Sequence, residues 1–104
     1  MRSSLVLAVA LAAAPAFAIT DPEIADIAVT AHKIDIARGK VALSKTKNAE
    51  VKQFAKQMVD DHGAGLKEAV ALATRLGVKP QTNATSKSLQ DGAKKASARL
   101  KKES

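Results

Sequence analysis

The chain contains no cysteine. This absence excludes disulfide bonds, a lipid-anchored N-terminal cysteine and every metal site that needs a thiolate ligand. A small domain without disulfides must be held together by packing, by a metal ion or by association with another chain.

Aromatic residues are almost absent, with two Phe and no Trp or Tyr, and Phe54 is the only one beyond the N-terminal segment. Proteins that read nucleic-acid sequence commonly stack bases on aromatic side chains, so sequence-specific nucleic-acid binding is not expected. The sequence also shows no strand pattern, no Gly-rich phosphate loop and no Ser/His/Asp arrangement. It therefore predicts an all-α protein that is not an enzyme.

The N-terminal segment has the features of a secretory signal. Arg2 supplies a positive charge, residues 5–14 form an apolar run, Pro15 ends it, and Ala-Phe-Ala closes at Ala18. The run is too short to span a bilayer. We expect cleavage near Ala18 and a periplasmic or exported product, the alternative being an uncleaved membrane anchor.

Residues 19–80 are expected to form an antiparallel helical hairpin. The first helix should begin with Asp21 as its cap and Pro22 in its first turn, and should end near Lys45. Its apolar face is wide enough to contact two neighbours. The face consists of Ile24, Ile27, Ala28, Ala31, Ile34 and Ala42, widened by Val29, Ile36 and Leu43.

The second helix has the clearest pattern in the chain. Asn48 should cap it, and Gly77 followed by Pro80 should end it. Its apolar positions are Val51, Phe54, Ala55, Met58, Val59, Leu66, Ala69, Val70, Ala73 and Leu76. The short link between the two helices makes them antiparallel.

Residues 81–104 are expected to form a linker and a short basic helix. Residues 81–85 look like a loop, Ser88 to Asp91 resembles a capping box, and small or apolar residues follow at helical spacing from Leu89. Seven basic side chains stand against two acidic ones from Lys79 onward. This charge either solvates the surface or binds an anionic envelope surface. The candidate binding residues are Lys94, Lys95, Arg99, Lys101 and Lys102.

Two polar residues fall on apolar faces, Asp35 on the first helix and His62 on the second. Buried carboxylates and imidazoles need partners, which indicates either a polar network or a divalent-metal site. Counting from the turn, Asp35 and His62 differ in level by about 7 Å, which predicts no direct contact. His32 and Asp61 lie nearly level with His62. The candidate metal ligands are therefore Asp35, His62, Asp61 and His32.

Two segments together resemble an exported bacterial family, domain of unknown function 4142. They are Ile-Asp-Ile-Ala-Arg-Gly-Lys-Val-Ala-Leu from Ile34 and Asn-Ala-Glu-Val-Lys-Gln-Phe-Ala-Lys-Gln-Met-Val-Asp-Asp-His ending at His62. Members are often labelled outer membrane proteins, and the resemblance implies a periplasmic ferritin-like helical bundle linked to envelope stress, without a known activity. Family members commonly carry Glu where Asp35 stands, and they continue into a second helical pair.

On this resemblance, the chain corresponds to the first half of a ferritin-like four-helix bundle, which suggests a truncated copy. A half-bundle leaves apolar faces uncovered, so a homodimer or another helical partner is expected. Three hypotheses follow: a protein that pairs through its apolar faces, a divalent-metal-binding bundle, and a basic binder of the envelope or lipid surface.

Overall fold

The computed structural model describes residues 18–103, which form three α-helices. These are α1 (Asp21–Lys45), α2 (Ala49–Arg75) and α3 (Ala84–Lys102). Within residues 18–103 there is no β-strand. The all-α prediction of a hairpin plus a third helix is therefore confirmed, whereas the predicted signal peptide lies almost entirely outside the described residues.

The start of α1 differs from the prediction by one residue. Thr20, not Asp21, is the cap: its hydroxyl accepts the backbone N–H of Glu23, and the Glu23 carboxylate accepts hydrogen bonds from the backbone N–H and hydroxyl of Thr20. Such a reciprocal capping box satisfies two backbone donors at once, which the Asp21 side chain does not do here. Asp21 instead places its charge in the first turn of α1, where the helix dipole favours it.

Both ends of α2 agree with the prediction. Asn48 caps the helix, with its side-chain oxygen accepting the backbone N–H groups of Glu50 and Val51. At the other end Gly77 has φ +66°, and the backbone N–H groups of Gly77 and Val78 donate to carbonyls in the last turn of α2. This is a Schellman motif, which needs a residue that adopts a left-handed conformation readily.

Helix α3 begins earlier than the sequence suggested, at Ala84 and not near Leu89. Asn83 is its cap, because its side-chain oxygen accepts the backbone N–H of Ser86. The Ser86 hydroxyl in turn accepts the backbone N–H of Asn83. Ser88 therefore lies inside the helix. The capping box predicted at Ser88 is wrong because the pair formed by Asn83 and Ser86 closes the same kind of box one turn and a half earlier.

Helix α1 is central, because it contacts both α2 and α3, whereas α2 and α3, described over their whole lengths, do not contact each other. The backbone N–H of Gln81 donates to the carbonyl of Pro22, and the Lys45 ammonium donates to the carbonyls of Leu100 and Glu103. These contacts join equivalent ends of α1 and α3, so the two helices run parallel.

The two neighbours use different faces of α1. The wide apolar face was predicted to contact both, and this is wrong for α3: helix α2 packs on the side that carries Asp35, whereas α3 packs near the polar residues Asp26, Thr30 and Lys33. The reason is that α3 presents small and polar residues, among them Ala93 and Ser97, and these match a polar face.

The hydrophobic core is small. Among residues 18–103, the buried hydrophobic residues are Val29, Ala55 and Ala73. Nine large apolar residues are exposed, namely Ile19, Ile24, Val51, Phe54, Val70, Leu72, Leu76, Leu89 and Leu100. A chain with this little enclosed apolar surface has much to gain from covering the rest. No helix within residues 18–103 combines the length and the apolar character needed to cross a membrane.

Candidate functional site

A pair of histidines lies between α1 and α2. The Nδ1 atoms of His32 and His62 are 3.0 Å apart, and the ring centroids are 5.2 Å apart with the planes tilted by 53°. A contact of this length is a hydrogen bond, so one ring donates an Nδ1 proton and the other accepts with a lone pair. These are the only two histidines in the sequence.

The third member of the cluster is Asp35, whose Oδ2 atom is 3.6 Å from Nδ1 of His62. The predicted lack of direct contact between Asp35 and His62 is therefore wrong. Side chains on a helix tilt toward its N-terminus. Because the helices are antiparallel, the Asp35 side chain leans away from the hairpin turn and the His62 side chain leans toward it. The two tilts close most of the axial gap that counting Cα positions suggests.

Gly65 provides the space that the His32 ring occupies. A Cβ atom added at Gly65 would lie 2.6 Å from Cε1 of His32 and 3.1 Å from each of its ring nitrogens. A real Cβ does not approach a ring atom so closely, so the imidazole position depends on this glycine. Sequence reasoning missed Gly65, although a glycine inside a helix, one turn after His62, is a signal for close packing.

The fourth candidate ligand is not part of the cluster. Asp61 is exposed, because it points toward the outer edge of α2. Within residues 18–103, no group of three or more His, Asp or Glu side chains is already arranged as a metal site. The structure therefore brings His32, Asp35 and His62 together and leaves Asp61 outside.

The cluster is partly open to solvent. The side chain of His62 is 26% exposed and that of Asp35 is 34% exposed. Water and small ions can therefore reach the polar atoms, while the flanking helices restrict how these atoms move. An arrangement of two imidazoles and one carboxylate can bind a proton or a cation.

A second feature is an apolar strip along α2, which we define as Phe54, Met58, Gly65, Leu72 and Leu76. Its two ends are exposed, whereas Met58 and Gly65 are half-buried and the His32 ring packs against Gly65. Phe54 and Leu76 are 63% and 67% exposed, and Leu72 is also exposed. The strip borders an apolar cavity of about 290 Å³ between the start of α1 and the end of α2. The cavity is lined by Asp21, Ile24, Ala25, Ala28, Ala69, Leu72, Ala73, Leu76 and Val78.

The predicted surface-binding residues all lie on α3. Lys94, Lys95, Arg99, Lys101 and Lys102 are exposed. At helical spacing, Lys95, Arg99 and Lys102 project away from the side that holds Ser86 and Ala93 against α1. The basic face is therefore free to meet a partner.

Neither the curated proteins nor the solved structures give a significant match. A family described as "Domain of unknown function (DUF4142)" matches residues 6–104, which is almost the whole chain. The chain therefore belongs to the DUF4142 family, as the segments around Asp35 and His62 predicted.

Proposed function

We propose that this protein is an exported helical assembly protein whose chains pair through the apolar strip of α2. The observation that carries the proposal is the exposure of Phe54, Leu72 and Leu76 on a helix that, among the three described helices, contacts α1 and not α3. Exposed apolar surface of this extent usually marks an interaction site. Pairing two hairpins would also produce the four-helix bundle that the family resemblance implies.

The spacing of the strip favours a second copy of the same chain as the partner. Phe54 and Leu72 are separated by five helical turns, as are Met58 and Leu76. The five positions are symmetric about Gly65, since Phe54 mirrors Leu76 and Met58 mirrors Leu72. Two antiparallel copies of α2 would thus place Phe54 opposite Leu76 and Met58 opposite Leu72. These apolar contacts would lie on both sides of Gly65, where the His32 ring packs, and span about 33 Å in all. A two-fold interface requires a self-complementary surface of this kind.

The apolar cavity next to the strip supports the same pairing. In the antiparallel arrangement, Phe54 of one copy approaches Leu76 of the other, which lines the cavity together with Ile24 and Ala28. A large aromatic side chain that enters an apolar pocket is a common anchor of protein interfaces. The contact would occur twice because of the symmetry.

The pairing is tested by sedimentation of the wild type, Phe54→Glu and Val70→Glu. We expect a concentration-dependent dimer for the wild type and a monomer for Phe54→Glu, because a buried charge is costly. Val70 is also exposed but lies on the other edge of α2, so Val70→Glu should still dimerise. A folded monomer of wild type at high concentration would contradict the proposal, as would equal disruption by the two variants.

Export is supported by the N-terminal segment, in which Arg2, the apolar run of residues 5–14 and the small residues ending at Ala18 have the order of a secretory signal. The test is N-terminal sequencing of protein from the periplasmic fraction. Protein that begins at Ile19 is the expected result. Recovery of intact protein from the cytoplasm alone would refute export.

A second candidate function, binding to an anionic envelope surface, is favoured by the exposed basic face of α3. The test compares sedimentation with anionic and zwitterionic vesicles for the wild type and for Lys95→Glu/Arg99→Glu/Lys102→Glu. The control is Lys52→Glu/Lys56→Glu/Lys67→Glu, which changes the net charge equally but on α2. We expect only the α3 variant to lose binding to anionic vesicles. Equal loss in both variants would mean that net charge alone drives binding.

A further inference from the structure

We propose that His32, His62 and Asp35 bind one divalent transition-metal ion, with zinc as the reference case. Nδ1 of His62 lies close to two other potential ligand atoms, Nδ1 of His32 and Oδ2 of Asp35.

The distances fit a zinc coordination sphere. Zinc binds imidazole nitrogen at about 2.0–2.1 Å in a tetrahedral arrangement, so two ligand atoms of one ion lie about 3.3 Å apart. The Nδ1 atoms are 3.0 Å apart, and the carboxylate oxygen is 3.6 Å from Nδ1 of His62. The observed separations fall on either side of the required one. The three ligands are not already arranged as a metal site within residues 18–103, so the proposal requires side-chain rotations that bring these pairs to the separation the ion needs.

The protons balance without an acid or a base. In the metal-free pair one neutral ring carries its proton on Nδ1 and donates it to the other ring. When the ion binds, that ring carries its proton on Nε2, so both Nδ1 lone pairs point at the metal. The carboxylate lowers the net charge of the complex, and water completes the coordination from the partly exposed side.

The ligand types determine which ions are expected. Two imidazoles and one carboxylate suit Zn²⁺, Ni²⁺, Cu²⁺ or Fe²⁺, whereas Mg²⁺ and Ca²⁺ prefer sites made of oxygen ligands. We therefore expect Zn²⁺ to bind and Mg²⁺ to give no signal at the same concentration.

The test is isothermal titration of Zn²⁺ into untagged protein, with His62→Gln, Asp35→Asn and Asp61→Asn as variants. We expect one Zn²⁺ per chain for the wild type. His62→Gln should weaken binding by more than about tenfold, the smallest loss that follows removal of even an outer-shell partner of a bound histidine. Asp35→Asn should weaken it less. Asp61→Asn is the matched control, since it removes an adjacent exposed carboxylate, and should bind like the wild type. Unchanged affinity in His62→Gln would overturn the proposal.

A measurement on the wild type avoids any effect of the substitutions on folding. Because the chain has two histidines, nitrogen NMR of the imidazoles gives one set of signals for His32 and one for His62. Zn²⁺ should shift both sets and move the proton of the donor ring from Nδ1 to Nε2, so that both rings carry their proton on Nε2. Signals that stay unchanged at saturating Zn²⁺ would refute the site, even if some zinc binds elsewhere.

Discussion

At the scale of single residues, two glycines in α2 are a matched pair. A Cβ atom at Gly63 meets nothing within 4 Å, whereas one at Gly65 meets the His32 ring at 2.6 Å. Gly63→Ala should therefore raise the free energy of unfolding by about 0.5–1 kcal/mol, the usual gain in helix propensity. Gly65→Ala should gain less or lose, because displacing the ring breaks a hydrogen bond worth about 0.5–1.5 kcal/mol.

Urea unfolding followed by circular dichroism measures both changes. Imidazole NMR gives an independent check, since Gly65→Ala should alter the His32 and His62 signals and Gly63→Ala should not. If the two variants were equally stabilised and both left the histidine signals unchanged, the position of the His32 ring would not depend on Gly65.

Helical spacing alone identified Asp35 and His62 as polar residues on facing sides of two helices, but it predicted no direct contact, whereas the structure brings them to 3.6 Å. The predicted separation of the two side chains was wrong because the rise per residue locates Cα atoms. The polar atoms that approach each other lie several bonds away, at the ends of tilted side chains. The role of Gly65 could not be predicted, because it depends on the rotamer of His32 on another helix.

At the scale of helices, Gly39 sets how closely α1 approaches α2. A Cβ atom there would lie 2.6 Å from Cγ2 of Val59 and 3.2 Å from the backbone oxygen of Ala55. The backbone of α2 cannot give way without moving the helix, so Gly39→Ala should lower the free energy of unfolding by about 1–3 kcal/mol. Thermal unfolding compares it with Gly92→Ala in α3, where a Cβ meets nothing within 4 Å and a small gain is expected.

Asn83 joins α3 to α1. Its side-chain oxygen caps α3 by accepting the N–H of Ser86, and its amide nitrogen donates to the carbonyls of Glu23 and Gln81. Asn83→Asp keeps the cap but loses both donors, whereas Asn83→Ala loses all three bonds. Each of the two variants should lower the free energy of unfolding by about 1 kcal/mol or more.

Hydrogen exchange separates the two roles of Asn83. In Asn83→Asp the amides of α3 should stay protected near its N-terminus while contacts with α1 weaken. In Asn83→Ala the first turn of α3 should exchange faster as well. Identical exchange in both variants would show that the cap and the anchor are not separable.

The helices themselves were largely predictable, because their caps and stops are local signals. Asn48 and Gly77 act where the sequence placed them. The start of α3 was not predictable from the Ser88 pattern, since two competing caps lie close together. The position of α3 on the polar face of α1 depends on Asn83 reaching Glu23, a contact between residues 60 positions apart that no periodicity reports.

At the scale of the whole molecule, a dimer should make stability depend on concentration. If the chains pair through Phe54, Leu72 and Leu76, the melting temperature of the wild type should rise with protein concentration, because association favours the folded form. Phe54→Glu should melt at one temperature at all concentrations. Differential scanning calorimetry at several concentrations measures this, and a constant melting temperature for the wild type would contradict pairing.

The central position of α1 has a consequence for how such a pair would meet an envelope. Because α2 and α3 each contact α1 and not one another, joining two chains through α2 leaves both basic helices unobstructed. The dimer would then be bivalent, because it carries two basic α3 helices, one on each side of the paired α2 helices. When two weak binding sites engage the same membrane, dissociation requires both to release. Weak attraction by each α3 helix would therefore give a far longer residence time on the membrane than a single chain achieves.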